Sequence, residues 1–238
     1  MIFSASLKRT MADQLVEDLG RQIIDGRLQP GELLPNETQL LENYGVSRTV
    51  LREALQILIS KGMLDSRQRK GTTVRPKISW QQLDPQFLDW HHTMAGGAET
   101  LAQLMEVRRI VEPPAAALAA TRASDEEKSG IQAAYERMFA AKGNVEQFIR
   151  ADLEFHTAIL QASQNQFLLP IAHAIRTTML MSLRLTNPDP SENHEVSLPL
   201  HKALLDAILS GNASQASAAM HEHLDDTERR RQRVGANS

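Results

Sequence analysis

The sequence predicts a mainly α-helical protein of two domains, a small N-terminal domain with one β-hairpin and a larger domain that is helical throughout. A length of 238 residues favours two domains over one. Aromatic residues make up only 4% of the chain, while alanine and leucine are plentiful, and this composition favours helices over sheets. Helical periodicity dominates the chain, and between Gly62 and Val74 the pattern changes and indicates short strands.

Three helices begin the first domain. Apolar residues at helical spacing indicate the first helix, and Gly26 ends it. Asn36 can cap the second helix, with Gln39 completing a capping box, and Gly45 stops it. Ser47 can cap the third. Two short helices joined by a tight turn that contains glycine predict a helix-turn-helix.

A basic β-hairpin follows the third helix. Residues 63–64 and 72–74 predict two short strands around the turn 67–71, which has the sequence RQRKG. Between Gly45 and Lys77 the chain has eight basic and two acidic residues, although its net charge is −3. Like charges in one hairpin repel each other, whereas opposite a phosphate backbone they release counterions and gain affinity. We therefore expect a winged helix-turn-helix that binds double-stranded DNA.

The N-terminal end of the third helix carries side chains that suit base recognition. They are Ser47, Arg48, Thr49 and Arg52. A recognition helix enters the major groove with this end foremost, and arginine can bind guanine O6 and N7 together. Alternatively, the two arginines form a solvated face paired with Glu42 or Glu53. The order of the turn, the N-cap and the basic wing along the chain favours DNA contact over this alternative.

Helical segments fill the second domain. We expect a DNA-binding domain at 1–77, a junction at 78–97, a helical metal- and effector-binding domain at 98–232 and a tail at 233–238. Trp80 and Trp90 of the junction are expected to pack between the domains. Six helices are predicted, at 98–122, 125–142, 144–163, 166–185, 196–210 and 212–231.

Four potential metal ligands fall on the apolar faces of three of these helices. They are Asp152, His156, His201 and His223. For any one of these histidines alone, a satisfied core residue is the better interpretation. A buried carboxylate is costly, however, and a divalent cation bound by the carboxylate and the imidazoles would neutralise it. Together the four indicate a metal site, with zinc as the first choice and nickel, manganese or iron as alternatives.

A positively charged side chain also falls on an apolar helix face of this domain. Arg108 lies on an apolar stripe, where a guanidinium needs an anionic partner. Glu112, one turn on, can be that partner, or Arg108 can face the metal cavity and bind the carboxylate of an effector. Arg150, Asn187 and Ser197 are further candidate effector-binding residues, suited to hydroxyl groups.

The N-terminal motifs resemble the GntR family of regulators. The resemblance rests on LPNETQL at 34–40, GVSRTVLREAL at 45–55 and KGTTV at 70–74. It implies DNA contacts from the third helix and from a wing tip formed by Gln68, Arg69 and Lys70. Thr38 stands where many members have an arginine, which implies that this contact is weak or absent here.

The second domain resembles the FCD domain of the FadR-type branch of the family, an all-α ligand-binding bundle. The resemblance rests on MEVRRIVE at 105–112, DLEFH at 152–156, HKALLDAI at 201–208 and MHEHL at 220–224. It implies that the aspartate and the three histidines hold a divalent metal against which organic acids bind. The junction looks like that of regulators of sugar-acid catabolism, including galactonate-operon repressors.

The leading expectation is a dimeric repressor whose DNA affinity changes when a sugar acid or a related carboxylate binds. A chain without cysteine has no disulfide or thiolate chemistry and suits the cytoplasm. We expect no signal peptide, no transmembrane segment and no membrane partner. The alternatives are a metalloenzyme that uses the same four residues, and a DNA-binding protein whose metal is purely structural.

Overall fold

A computed structural model describes residues 10–92, 97–141, 143–168, 170–172, 180 and 189–236. The chain divides into two compact units, Met1–Gly97 and Ala98–Ser238. Within the described ranges, no helix is both long and apolar enough to cross a lipid bilayer.

The first unit is a winged helix-turn-helix. Its elements are α1 (Met11–Ile24), α2 (Glu37–Tyr44), α3 (Arg48–Ser60), β1 (Leu64–Arg67), β2 (Gly71–Val74), a 3₁₀ turn (Lys77–Ser79) and α4 (Pro85–His92). The two strands pair antiparallel, with Leu64 opposite Val74, and Leu33 adds a single bridge to Thr73. The predicted helix-turn-helix and wing are confirmed.

The predicted caps place α2 and α3. The Asn36 side chain accepts a hydrogen bond from the Gln39 backbone at 3.0 Å, and the Gln39 side chain accepts one from the Asn36 backbone at 3.1 Å. Gly45 ends α2 with a φ of 62°, a left-handed conformation that glycine adopts at little cost. The Ser47 hydroxyl then accepts from the Val50 backbone at 3.3 Å and starts α3.

The junction completes the core of the first unit. Trp80, Phe87 and Trp90 are buried in the same apolar cluster as the helix-turn-helix core. Helix α4 packs on α1, where Gly20 leaves room for the Trp90 ring. The expectation that both tryptophans pack between the domains is therefore wrong, because both rings are buried in the apolar core of the first unit, that of Trp90 against α1.

The second unit is helical throughout its described part. Its elements are α5 (Gly97–Arg122), α6 (Asp125–Ala140), α7 (Val145–Ala162), α8 (Pro190–Glu192), a π-helical turn (Asn193–Ser197), α9 (Leu198–Leu209) and α10 (Ala213–Ala236). Helix α5 continues through Pro113 and Pro114. Most of the helix predicted at 166–185 lies outside the described residues.

Five helices, α5, α6, α7, α9 and α10, contribute to the core of the second unit. Helix α6 packs against α7 and α9, and α9 packs against α10. Phe148 and Phe155 of α7 meet Leu204 of α9 and Leu224 of α10 in one buried cluster. This packing turns the polar positions of α7, α9 and α10 toward a common interior.

Candidate metal centre and DNA-binding surface

The start of α3 presents its polar side chains to solvent. Ser47 and Thr49 are exposed, and the side chains of Arg48 and Arg52 are 75% and 71% exposed. The two arginines lie one turn apart, so they share a face of the helix. This surface has the free guanidinium donors that base recognition needs.

An acid that the sequence analysis missed contacts both arginines. Oε1 of Glu37 lies 3.6 Å from Nε of Arg48, and its Oε2 lies 3.8 Å from Nη2 of Arg52. In the described part of the chain the acid beside these arginines is thus Glu37, not Glu42 or Glu53. Its position at the start of α2 was visible in the sequence, but its approach to α3 depends on the helix-turn-helix angle.

The wing tip is exposed and its backbone is constrained. Gln68, Arg69 and Lys70 are all exposed. Arg69 has a φ of 65°, in the left-handed region that disfavours side chains with a Cβ. The Lys70 backbone donates to the Arg67 carbonyl at 3.0 Å and closes the turn. The wing therefore presents adjacent basic side chains on a tight turn.

The four predicted metal ligands converge in the interior of the second unit. Asp152 and His156 come from α7, His201 from α9 and His223 from α10, and each is at most 3% exposed. One ligand atom from each lies within 4.8 Å of all the others. Oδ1 of Asp152 lies 3.2 Å from Nε2 of His156 and 3.4 Å from Nε2 of His201. The structure thus brings the whole predicted set together.

Outer partners orient two of the imidazoles. Nδ1 of His156 donates to Oε2 of Glu112 at 2.8 Å. Nδ1 of His201 donates to the Ser197 carbonyl at 2.8 Å. Both rings therefore present Nε2 toward the centre, the arrangement in which metal-bound histidines are usually held. Ser197 ends the π-helical turn, so its carbonyl had no signal in the sequence pattern.

The residues present fit a divalent cation. Among the described residues, both carboxylate oxygens of Asp152, Nε2 of His201 and Nδ1 of His223 are buried without a hydrogen bond. Buried polar atoms in this state are costly unless something satisfies them. Three imidazoles and one carboxylate suit zinc and other divalent transition metals.

Burial and neighbouring charges shift the pKa values of the cluster in opposite directions. Burial raises the pKa of Glu112, but Arg108 and His156 outweigh it and hold this pKa at about 2. Burial lowers the pKa of His156, but Glu112 and Asp152 outweigh it and raise this pKa to about 9. Burial and the two neighbouring histidines lower the pKa of His223 well below its usual range. A cation bound at the centre therefore has to displace a proton from His156.

The predicted effector-binding residues that the structure describes differ in their surroundings. Arg108 is 2% exposed and donates from Nε to Glu112 at 2.6 Å, so the carboxylate expected as its alternative partner does pair with it. Ser197 is buried beside His201. The side chain of Arg150 is 71% exposed to solvent. Its position on α7 lies about 200° around the helix axis from that of Asp152. The structure does not bring Arg150 to the cluster, and Asn187 lies outside the described residues.

Two family profiles match successive parts of the chain. The profile described as "Bacterial regulatory proteins, gntR family" matches residues 11–74, and the profile of the FCD domain matches residues 103–226. The first match covers the helix-turn-helix and wing, and the second covers all four residues of the buried cluster.

Similar proteins are named as transcription regulators. The chain is 33% identical to the uncharacterized regulator YieP of Escherichia coli K12, covering 89% of this chain and 91% of the relative. It is also 33% identical to the galactonate operon transcriptional repressor of that organism, covering 87% and 91%. It is 30% identical to the regulator LutR of Bacillus subtilis, covering 87% and 94%.

Solved structures share the fold. GntR of Streptococcus agalactiae matches with a TM-score of 0.52 and 24% identity, covering 92% of this chain and 99% of that one. Lar of Listeria monocytogenes matches with a TM-score of 0.65 and 19% identity, covering 95% and 98%. At these identities the likeness concerns architecture alone.

Proposed function

Since the chain belongs to the GntR family of bacterial regulatory proteins and carries an FCD domain, we propose that it is a metal-dependent repressor whose operator affinity changes when a small carboxylate binds. The relatives are named as transcription regulators, so the chain is a DNA-binding regulator and not a metalloenzyme. The observation that carries the finer proposal is the convergence of four buried ligand residues, three of which have buried polar atoms without a hydrogen bond in the described part of the chain.

Asp152, His156, His201 and His223 are the residues that hold the cation, with zinc as our first choice. When bound, the cation supplies a Lewis-acidic centre that can bind a carboxylate. Glu112 and the Ser197 carbonyl hold the rings of His156 and His201 in the required tautomer. These contacts support a preformed site.

Charge balance favours a ligand with one carboxylate. Metal-bound imidazoles are neutral, so the buried charges at the cluster are those of the divalent cation, Arg108, Glu112 and Asp152, while the buried Asp226 and Arg230 pair with each other. The positive charges exceed the negative ones by one. A monocarboxylate restores neutrality in the interior, whereas a dicarboxylate leaves an excess of negative charge. A sugar acid has this single carboxylate, and one relative is named as a repressor of a galactonate operon.

The DNA-contacting residues belong to the first unit. We assign operator contacts to Ser47, Arg48, Thr49 and Arg52 of the recognition helix and to Gln68, Arg69 and Lys70 of the wing. A homodimer with two-fold symmetry places two such surfaces on a pseudo-palindromic operator. Such a repressor acts in the cytoplasm, where the chromosome lies.

Metal content and ligand stabilisation test the site together. We expect one equivalent of a divalent metal in purified protein and a raised melting temperature with one sugar acid. A ligand at a hundredfold excess over its Kd adds about 2.7 kcal/mol to the free energy of unfolding. His156→Ala should lose both the metal and the stabilisation. His221→Ala, an exposed histidine on the same helix as His223, should keep both.

The outcomes distinguish the alternatives. Protein without metal, and without stabilisation by any acid, would contradict the assigned site and leave only the DNA-binding unit. Metal that is retained while no acid changes the affinity for DNA would support a structural metal. Dicarboxylates that bind more tightly than their monocarboxylate analogues would contradict the charge argument.

A further inference from the structure

Glu37 joins the two arginines at the start of the recognition helix. It is the first residue of α2, and its two carboxylate oxygens face Arg48 and Arg52 separately, at 3.6 and 3.8 Å. One acid therefore spans two guanidinium groups that lie a full helical turn apart. The carboxylate sits at the edge of the surface that we assign to DNA.

Stability does not account for this arrangement. The side chains of Glu37, Arg48 and Arg52 are 45%, 75% and 71% exposed, and ion pairs this exposed contribute little to folding. Both distances exceed the range of a hydrogen bond, so neither guanidinium uses its donors on the acid. The arginines are attracted to one position while their N–H groups remain available.

We propose that Glu37 is a positioning residue for sequence readout, which orients Arg48 and Arg52 toward base edges and weakens binding to unrelated DNA. The inference rests on the proposed DNA surface. A bidentate contact with guanine needs the planar guanidinium in one orientation, and a flexible arginine can instead bind any phosphate. A carboxylate beside the groove also repels phosphates whatever the sequence.

Specificity is the ratio of two affinities, so both effects raise it. Orientation strengthens binding to the correct site, and repulsion weakens binding elsewhere. This positioning role requires that the negative charge of Glu37 lie between the two arginines and not merely near them. Glu42 allows this requirement to be tested, because it is exposed on the same helix and, in the described part of the chain, makes no ion pair with either arginine.

The experiment measures two affinities for each variant. The probes are a duplex selected by the wild-type protein from a random-sequence library and a scrambled duplex of equal composition, at one salt concentration. Glu37→Gln should bind the scrambled duplex severalfold more tightly, and the ratio of the two affinities should fall about tenfold, as expected when a bidentate contact is loosened. Glu42→Gln removes the same charge and should leave the ratio unchanged.

Two further variants separate geometry from charge. Glu37→Asp keeps the charge but shortens the side chain, so the ratio should fall without tighter binding to the scrambled duplex. In an Arg48→Ala/Arg52→Ala background, Glu37→Gln should no longer change the ratio, because its effect acts through the arginines. Melting curves of the Glu37 variants should change only slightly, because Glu37 is exposed and an exposed acid in the first turn of a helix contributes about 0.3–1 kcal/mol.

The results decide between the inference and its premise. If Glu37→Gln shifts both affinities equally, as Glu42→Gln does, while Arg52→Ala reduces discrimination, the positioning role is overturned and the DNA surface stands. If Arg48→Ala and Arg52→Ala both leave discrimination unchanged, the assignment of readout to α3 fails together with the inference.

Discussion

Glu112 carries a negative charge in the interior of the second unit, between Arg108 and His156. Its two oxygens accept hydrogen bonds from these two side chains at 2.6 and 2.8 Å. The spacing of four residues on one helix predicts that Glu112 can pair with Arg108. No such local signal predicts the bond to His156, which lies 44 residues away in the chain. Because this buried carboxylate has two partners, its ionisation makes the free energy of unfolding depend on pH.

The pH dependence follows from the pKa of Glu112, which is about 2 in the folded protein against 4.5 as its ordinary value. A lowered folded-state pKa adds stability that is present above pH 4.5 and lost as the pH falls toward 2. In metal-free protein we expect Glu112→Gln to be about 3 kcal/mol less stable than wild type at pH 7. This difference should shrink below pH 4.5 in urea unfolding.

A matched variant on the same helix controls for the charge change. Glu106→Gln alters an exposed acid of α5 and should show no such pH-dependent difference. A deficit of Glu112→Gln that stays constant between pH 7 and pH 3 would show that the lost stability comes from packing rather than from ionisation.

Arg69 combines an unfavourable backbone conformation with an exposed basic side chain. A glycine there relieves the left-handed strain, which costs roughly 1 kcal/mol for other residues. We expect Arg69→Gly to raise the free energy of unfolding by up to about 1 kcal/mol and yet to weaken DNA binding. Arg67→Gly, at an ordinary strand position beside it, should lower stability. An Arg69→Gly variant with unchanged DNA affinity would remove this residue from the DNA surface.

At the scale of elements, the contact between α1 and α4 depends on one glycine. A Cβ atom at Gly20 would lie 2.3 Å from Cζ3 of Trp90, so the indole has to move. We expect Gly20→Ala to destabilise the protein by about 1–3 kcal/mol despite the better helix propensity of alanine. Gly130→Ala on α6, where a Cβ meets nothing within 4 Å, should instead stabilise by up to about 1 kcal/mol.

The indole fluorescence of Trp90 gives Gly20→Ala a second measurement, since a displaced ring changes its surroundings. Equal stabilisation by the two glycine substitutions would mean that α4 does not pack on α1 in solution.

The helix boundaries themselves were largely predictable from caps and apolar spacing, as α2 and α3 show. The π-helical turn before α9 was not, because nothing in its sequence NHEVS distinguishes a π-helical from an α-helical turn.

At the scale of the whole molecule, a regulator requires that its two units influence each other. Thermodynamic linkage makes this influence reciprocal. If a sugar acid lowers the affinity for the selected duplex tenfold, the duplex must lower the affinity for the acid tenfold. Calorimetric titration of the acid into free protein and into the protein–DNA complex measures this factor. Equal acid affinities in the two titrations would contradict a sensing role.

Charge is divided unequally between the two units. Residues 1–77 hold 12 basic and 9 acidic residues, whereas the remainder holds 14 and 20. This asymmetry was available from the sequence, and it favours DNA binding by the first unit alone.

The sequence by itself determined the helix-turn-helix, the wing, most helices of the second unit and the four side chains that face its interior, and it indicated the residues that we assign to the DNA surface. These features follow from local rules, because periodicity, caps and turns act over a few neighbouring residues. Only the tertiary structure decided which distant groups meet: Glu112 with His156, Glu37 with two arginines of α3, and Trp90 with Gly20. Periodicity states which face of a helix is buried, but its partner depends on how helices far apart in the chain pack together.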